Sequence, residues 1–123
     1  MSHQAEFYHE LLEQTKALIN NESDIIANMA NVSALLFERL NEVNWVGFYR
    51  VIGDELVLGP FQGKVACIRI PLGKGVCGTC VVTGDVQRIA DVHQFDGHIA
   101  CDASTNAEIV IPVRVKGKVV AIL

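Results

Sequence analysis

The spacing of apolar residues changes once along this chain, after residue 43, and that change constrains the fold more than any other feature. Before it, Phe7, Leu11 and Leu18 recur at helical intervals, as do Tyr8, Leu12 and Ile19, while Glu10, Glu13 and Lys16 occupy other faces. The polar run Asn20-Asn21-Glu22-Ser23 interrupts the pattern, and Ser23 followed by Asp24 predicts an N-cap with an acid in the first turn. A second helix follows, with Ile25, Met29, Val32, Leu36 and Leu40 on one side, and stops near Asn41–Asn44. These two amphipathic segments are expected to cover a sheet.

From Trp45 onward the texture is β. Trp45–Ile52 leads through Gly53-Asp54 into Glu55–Phe61, which predicts a hairpin. A third strand is expected over Ala66–Leu72, a short helix over Val76–Thr83 closed by Gly84, and a fourth strand over Val86–Asp91. Residues 92–108 read as a long irregular connection, of a kind that is uncommon in compact domains and more often functional. The strands Ile109–Val115 and Val119–Leu123 follow, joined by a Lys-Gly-Lys turn. The expected architecture is α+β: an antiparallel sheet of about six strands flanked by helices.

A chain of 123 residues fits one domain with a single core. The net charge is −4, and the ten lysines and arginines are scattered singly, so no basic stripe is present to neutralise a phosphate backbone. Nucleic acid is not an expected partner. The longest apolar runs, such as IVIPV and VVAIL, are too short to span a membrane, and the opening MSHQAEFYHE lacks the pattern of a secretory leader. The expected location is the cytoplasm. The sequence ends at Leu123 within an apolar run, which predicts a domain lacking its final segment.

The four cysteines, Cys67, Cys77, Cys80 and Cys101, carry the chemistry. In a reducing compartment a permanent disulfide framework is not expected, leaving metal binding, redox chemistry or burial. Cys77-Gly-Thr-Cys80 has a C-x-x-C spacing, and His93, His98 and Cys101 are further candidates for a zinc site. The same pair read as a thioredoxin-like dithiol would need a βαβ context, which the antiparallel pattern does not offer. Cys80, followed by two valines, also reads as a small buried hydrophobe. Cys101 differs from the others. It lies in FDGHIACDASTNAE with Asp96, His98, Asp102 and Glu108 nearby, a polar setting suited to a thiolate nucleophile that a second thiol resolves. His98 beside that thiolate would lower its pKa, or would simply bond to loop backbone. Asp91 and Asp96 read as turn formers.

The blocks NWVGFYR, LGPFQGKVACIRIPLGKGVCGT, QRIADVH and GHIACDASTNAEIVIPV together resemble the free methionine-(R)-sulfoxide reductases, a family of GAF domains. The resemblance implies a single GAF domain over residues 1–123, without the acidic Asp-x-Asp segment and closing helix that end the family's domain. It implies reduction of the free amino acid methionine-(R)-sulfoxide, no bound cofactor or metal, and thioredoxin as external reductant. Cys101 matches the catalytic cysteine, and Cys67 and Cys77 match the family's two other redox cysteines, with Cys67 favoured as the resolving thiol. Cys80 takes no role from the resemblance.

Glu108 matches a family acid that would assist protonation of the sulfoxide oxygen. Trp45 and Tyr49 match aromatic positions of the substrate pocket, where an indole face attracts a sulfur-bound methyl by about 0.3–1.5 kcal/mol. Backbone amides around Gly73–Gly78 are a further place for a substrate carboxylate. The family's frequent dimerisation implies a homodimer, with which the amphipathic N-terminal helix is consistent. A GAF domain that senses a small molecule without turning it over is the alternative reading.

Overall fold

Helices form in the N-terminal third where the apolar spacing places them. The computed structural model describes residues 3–41, 43–89, 108–115 and 118–122. Helix α1 spans His3–Ile19 and α2 spans Ile25–Arg39. Asp24 caps α2: its carboxylate accepts the Ala27 amide at 2.8 Å. The cap is thus one residue later than the Ser23 expected, because Asp24 is the residue whose side chain faces the third amide of the helix. A carboxylate there also suits the positive end of the helix dipole. Glu22 reinforces the entry by accepting the Asp24 amide at 2.9 Å.

The described chain divides into two units, Met1–Gly47 with Pro60–Gly63, and Phe48–Gly59 with Lys64–Leu123. In the first, α1 packs on α2, burying Leu11, Met29 and Val32, and the Arg39 guanidinium lies over the Phe7 ring at 5.4 Å. Ser33, fully buried on α2, donates its hydroxyl to the Pro60 carbonyl at 3.3 Å. That bond satisfies the buried Ser33 hydroxyl and ties α2 to Pro60.

The β half begins with the expected hairpin. Strand β1 spans Trp45–Ile52 and β2 spans Glu55–Gly63, joined at Gly53, whose φ of 64° suits a glycine in a tight turn. Strand β3, Arg69–Pro71, pairs antiparallel with β2 in the register Glu55↔Pro71, Leu56↔Ile70, Val57↔Arg69. It is shorter than expected. Ala66, Cys67 and Ile68 lie outside it, so Cys67 is on the irregular segment before the strand. Only the stretch Arg69–Pro71 shows the exposed–buried–exposed alternation of a half-buried strand.

Helix α3 spans Gly75–Thr83 and ends at Gly84, whose φ of 74° and amide bond to the Cys80 carbonyl close the last turn. Strand β4 is Gln87–Ile89. The expected strand Ile109–Val115 is two strands, β5 (Glu108–Val110) and β6 (Pro112–Val115), and β7 is Lys118–Ile122. The break at Ile111 has a chemical reason: Pro112 has no amide hydrogen to continue a ladder, and it restricts the residue before it. The chain changes partner there. Strand β5 pairs with β4, whereas β6 pairs with β7. Among the described residues the sheets are therefore β3-β2-β1-β7-β6 and β4-β5, and every register between β1 and β7, β2 and β3, β4 and β5, and β6 and β7 is antiparallel. This is the α+β arrangement the sequence predicts, with seven described strands in place of about six.

Within the second unit α3 packs against β3, β4, β5 and β7, and Leu56, Ile70, Val76, Cys80 and Val110 are buried. Leu56 is 0 % exposed and paired with Ile70, so Leu56→Ala opens a cavity that neighbouring backbone cannot close. Urea denaturation is expected to show a loss of about 2–5 kcal/mol. Val65→Ala, at a residue 88 % exposed, is expected to change stability by less than about 0.5 kcal/mol.

Candidate active site

Two cysteines of the four are set on one short helix. Cys77 lies in the first turn of α3 and is half-buried, and Cys80 lies one turn later and is fully buried. The helix can start there because Gly78 has no side chain: a Cβ would stand 2.7 Å from the Pro71 carbonyl oxygen and 3.0 Å from the Gly73 nitrogen. Gly73 and Gly75, with φ of 82° and 63°, make the tight lead-in. Of the amides expected to receive a carboxylate, those of Gly73, Lys74 and Gly78 are taken by the carbonyls of Gly78, Pro71 and Lys74. The anion-binding capacity of this turn is correspondingly smaller than its glycine content suggests.

Cys77 and Cys80 are both in the thiol form, not bridged as a C-x-x-C dithiol. The Cys80 thiol points at the Val110 carbonyl at 3.8 Å, joining α3 to β5. Its place is in the core, as the adjoining valines suggest. Among the described residues no cluster of three or more histidine, cysteine or acidic side chains has the geometry of a metal site.

Cys67 is different: it is disulfide-bonded. Its partner sulfur lies outside the described residues, as do Cys101, His93, His98, Asp91, Asp96 and Asp102. Cys67 is half-buried, and its carbonyl accepts the Tyr49 hydroxyl at 2.8 Å. Tyr49 itself is only 5 % exposed, at the centre of β1 and paired with Ile122 of β7. The structure thus joins two of the expected site residues through a bond between side chain and backbone across 18 positions. Glu108 opens β5 opposite Ile89.

Trp45 belongs to the other unit. Its indole stacks on Phe61 at 5.4 Å with an interplanar angle of 16°. Glycines on either side make room for the ring. A Cβ on Gly47 would stand 2.7 Å from Trp45 Cη2, and one on Gly63 would stand 2.9 Å from Trp45 Cδ1. Trp45 as a whole remains half-buried. The Phe61 stack was not foreseen from the sequence, although the glycines two residues on from Trp45 and from Phe61 are visible there.

The GAF domain model matches residues 17–123. Free methionine-R-sulfoxide reductase of Escherichia coli (strain K12) is 58% identical over 118 residues, which are 96% of this chain and 72% of that protein. The structure of free methionine-R-sulfoxide reductase from Neisseria meningitidis in complex with its substrate superposes with a TM-score of 0.93 at 42% identity, covering 99% of this chain and 74% of that one. The reduced form of fRMsr from Staphylococcus aureus gives a TM-score of 0.91 at 51% identity, covering 94% and 75%. Among the described residues no helix is long and apolar enough to cross a membrane.

Proposed function

Because the chain belongs to the free methionine-(R)-sulfoxide reductase family of GAF domains, we propose that it reduces free methionine-(R)-sulfoxide to methionine with Cys101 as nucleophile and Cys67 as resolving thiol. The chain is an oxidoreductase of that family, and its substrate is the free amino acid. The Cys101 thiolate attacks the sulfoxide sulfur while Glu108 gives a proton to the oxygen. The oxygen then passes to the Cys101 sulfur: its bond to the methionine sulfur and the sulfur–sulfur bond made in the attack both break, releasing methionine and leaving Cys101 as sulfenic acid. Cys67 then attacks that sulfur; the new S–S bond forms as the S–O bond breaks and water departs. Thioredoxin, a dithiol protein of the cytoplasm, reduces the disulfide and is itself oxidised.

One observation carries this reading. Cys67 is disulfide-bonded while Cys77 and Cys80 are thiols, and Cys101 is the remaining cysteine of the sequence. The exposed, irregular stretch that holds Cys67 also suits a thiol that a second protein must reach. Cys77, half-buried at the start of α3, stands as the secondary redox thiol. On the substrate side, the ring of Trp45 takes the sulfur-bound methyl.

The test is NADPH consumption in a thioredoxin-coupled assay with the separate R and S epimers of free methionine sulfoxide. Turnover with the R epimer alone is expected. Binding of the R epimer by folded, reduced protein with no turnover would instead make the domain a sensing module.

A further inference from the structure

The stretch that carries Cys67 has no regular structure of its own. Residues 64–68 belong to no helix or strand, and Val65 and Ile68 are 88 % and 68 % exposed. Side chains so exposed bring little packing to hold a segment in place. Two hydrogen bonds fix its C-terminal end to the sheet. The Leu58 amide of β2 donates to the Ile68 carbonyl at 2.8 Å, and the Tyr49 hydroxyl donates to the Cys67 carbonyl at 2.8 Å. The first is a ladder bond that extends the pairing of β2 with β3. The second comes from a rigid side chain in a strand flanked on both sides, since β1 lies between β2 and β7. A phenol has two side-chain torsions, and Tyr49 is buried, so its oxygen is a fixed point.

Resting on the reading of Cys67 as the resolving thiol, we propose that the Tyr49 hydroxyl is a positioning group for the resolving step. It holds the Cys67 backbone where its sulfur meets the sulfenic sulfur of Cys101. Disulfide formation demands a narrow geometry, with Cβ atoms roughly 3.5–4.5 Å apart. An exposed segment that wanders by an ångström spends most of its time outside that range. The hydroxyl does not touch the reacting atoms and acts through the main chain of Cys67. The step it serves is balanced: the Cys67 thiolate displaces hydroxide from the Cys101 sulfenic acid, and a proton converts the hydroxide to water.

Tyr49→Phe keeps the ring and removes only the oxygen. Reduced protein is mixed with free methionine-(R)-sulfoxide in the absence of reductant, and disulfide and dimedone-trapped sulfenic acid are counted by mass spectrometry over time. Disulfide formation is expected to slow about tenfold in Tyr49→Phe, the worth of one lost hydrogen bond, with sulfenic acid accumulating meanwhile. Sulfenic acid formation, isolated in a Cys67→Ser background with and without the Tyr49→Phe change, is expected to slow far less than disulfide formation does. A general loss of folded structure would slow both steps, so the split between them is the signature of positioning. Unchanged disulfide formation, or equal slowing of the two steps, overturns the proposal and leaves the enzyme assignment standing. Absence of sulfenic acid in the Cys67→Ser protein, where no resolving thiol removes it, overturns the assignment of Cys101 and this proposal with it.

Discussion

Cys101→Ser is expected to abolish turnover of free methionine-(R)-sulfoxide, a loss of at least about a thousandfold. A serine hydroxyl stays protonated near neutral pH, whereas an ordinary thiol, with a pKa of about 8.5, already supplies some thiolate there. The deficit is larger than one of nucleophilicity, because oxygen transfer to serine has no counterpart to sulfenic acid. The coupled NADPH assay measures the loss, and substrate-dependent labelling by dimedone should vanish together with it. A thiol count gives a second, independent reading. Denatured oxidised protein should titrate as Cys77 and Cys80 alone, since Cys67 is bonded. The Cys101→Ser protein should titrate a third thiol, Cys67, which has lost its partner. Sustained turnover in Cys101→Ser would remove Cys101 from the mechanism, and a thiol count that fell by one in the variant would assign the Cys67 disulfide to another sulfur.

How far such chemistry can be read from sequence depends on the distance over which each cause acts. The hairpin turn at Gly53-Asp54 and the helix end at Gly84 are local, set by backbone freedom at single residues, and both stand where the sequence puts them. The cap of α2 is nearly as local. It differs by one residue because Ser23 and Asp24 are both capable caps and only geometry decides between them. Pro112 is a different case. Its missing amide is visible in the sequence, but Ile109–Val115, apolar except for Arg114, reads as one strand, and the change of sheet partner at Ile111 has no local signal of its own. Cys67 was assigned to a strand for a similar reason: Ile68 and Ile70 alternate correctly, yet Ile68 is exposed and only Ile70 is buried. The Tyr49–Cys67 bond has no period and no local signal at all, because it depends on β1 and the segment before β3 lying on the same sheet. What the blocks around the cysteines did reveal was the family, which is a property of ordered residue identity rather than of periodicity.

Cys67→Ser is expected to separate the two halves of the cycle. The first half needs only Cys101 and the substrate, so each chain should produce close to one methionine in a single burst. The second half needs a thiol in reach of the sulfenic acid, and a serine hydroxyl in place of Cys67 supplies none, so thioredoxin-coupled turnover should fall by about a hundredfold or more. Mass spectrometry should show the stalled chain as a sulfenic acid, trapped by dimedone. Cys77 provides the contrast. It is already a thiol while Cys67 is bonded, so the oxidised state does not require it, and Cys77→Ser should keep multiple turnover. A small dithiol should restart the stalled Cys67→Ser protein, because it attacks the sulfenic sulfur directly and does not depend on an internal partner. Thioredoxin would restart it poorly, since its natural target is a disulfide. If Cys77→Ser stalled and Cys67→Ser cycled, the resolving thiol would be the one on α3. The Cys67 disulfide would then be a side product of oxidation rather than a step of catalysis.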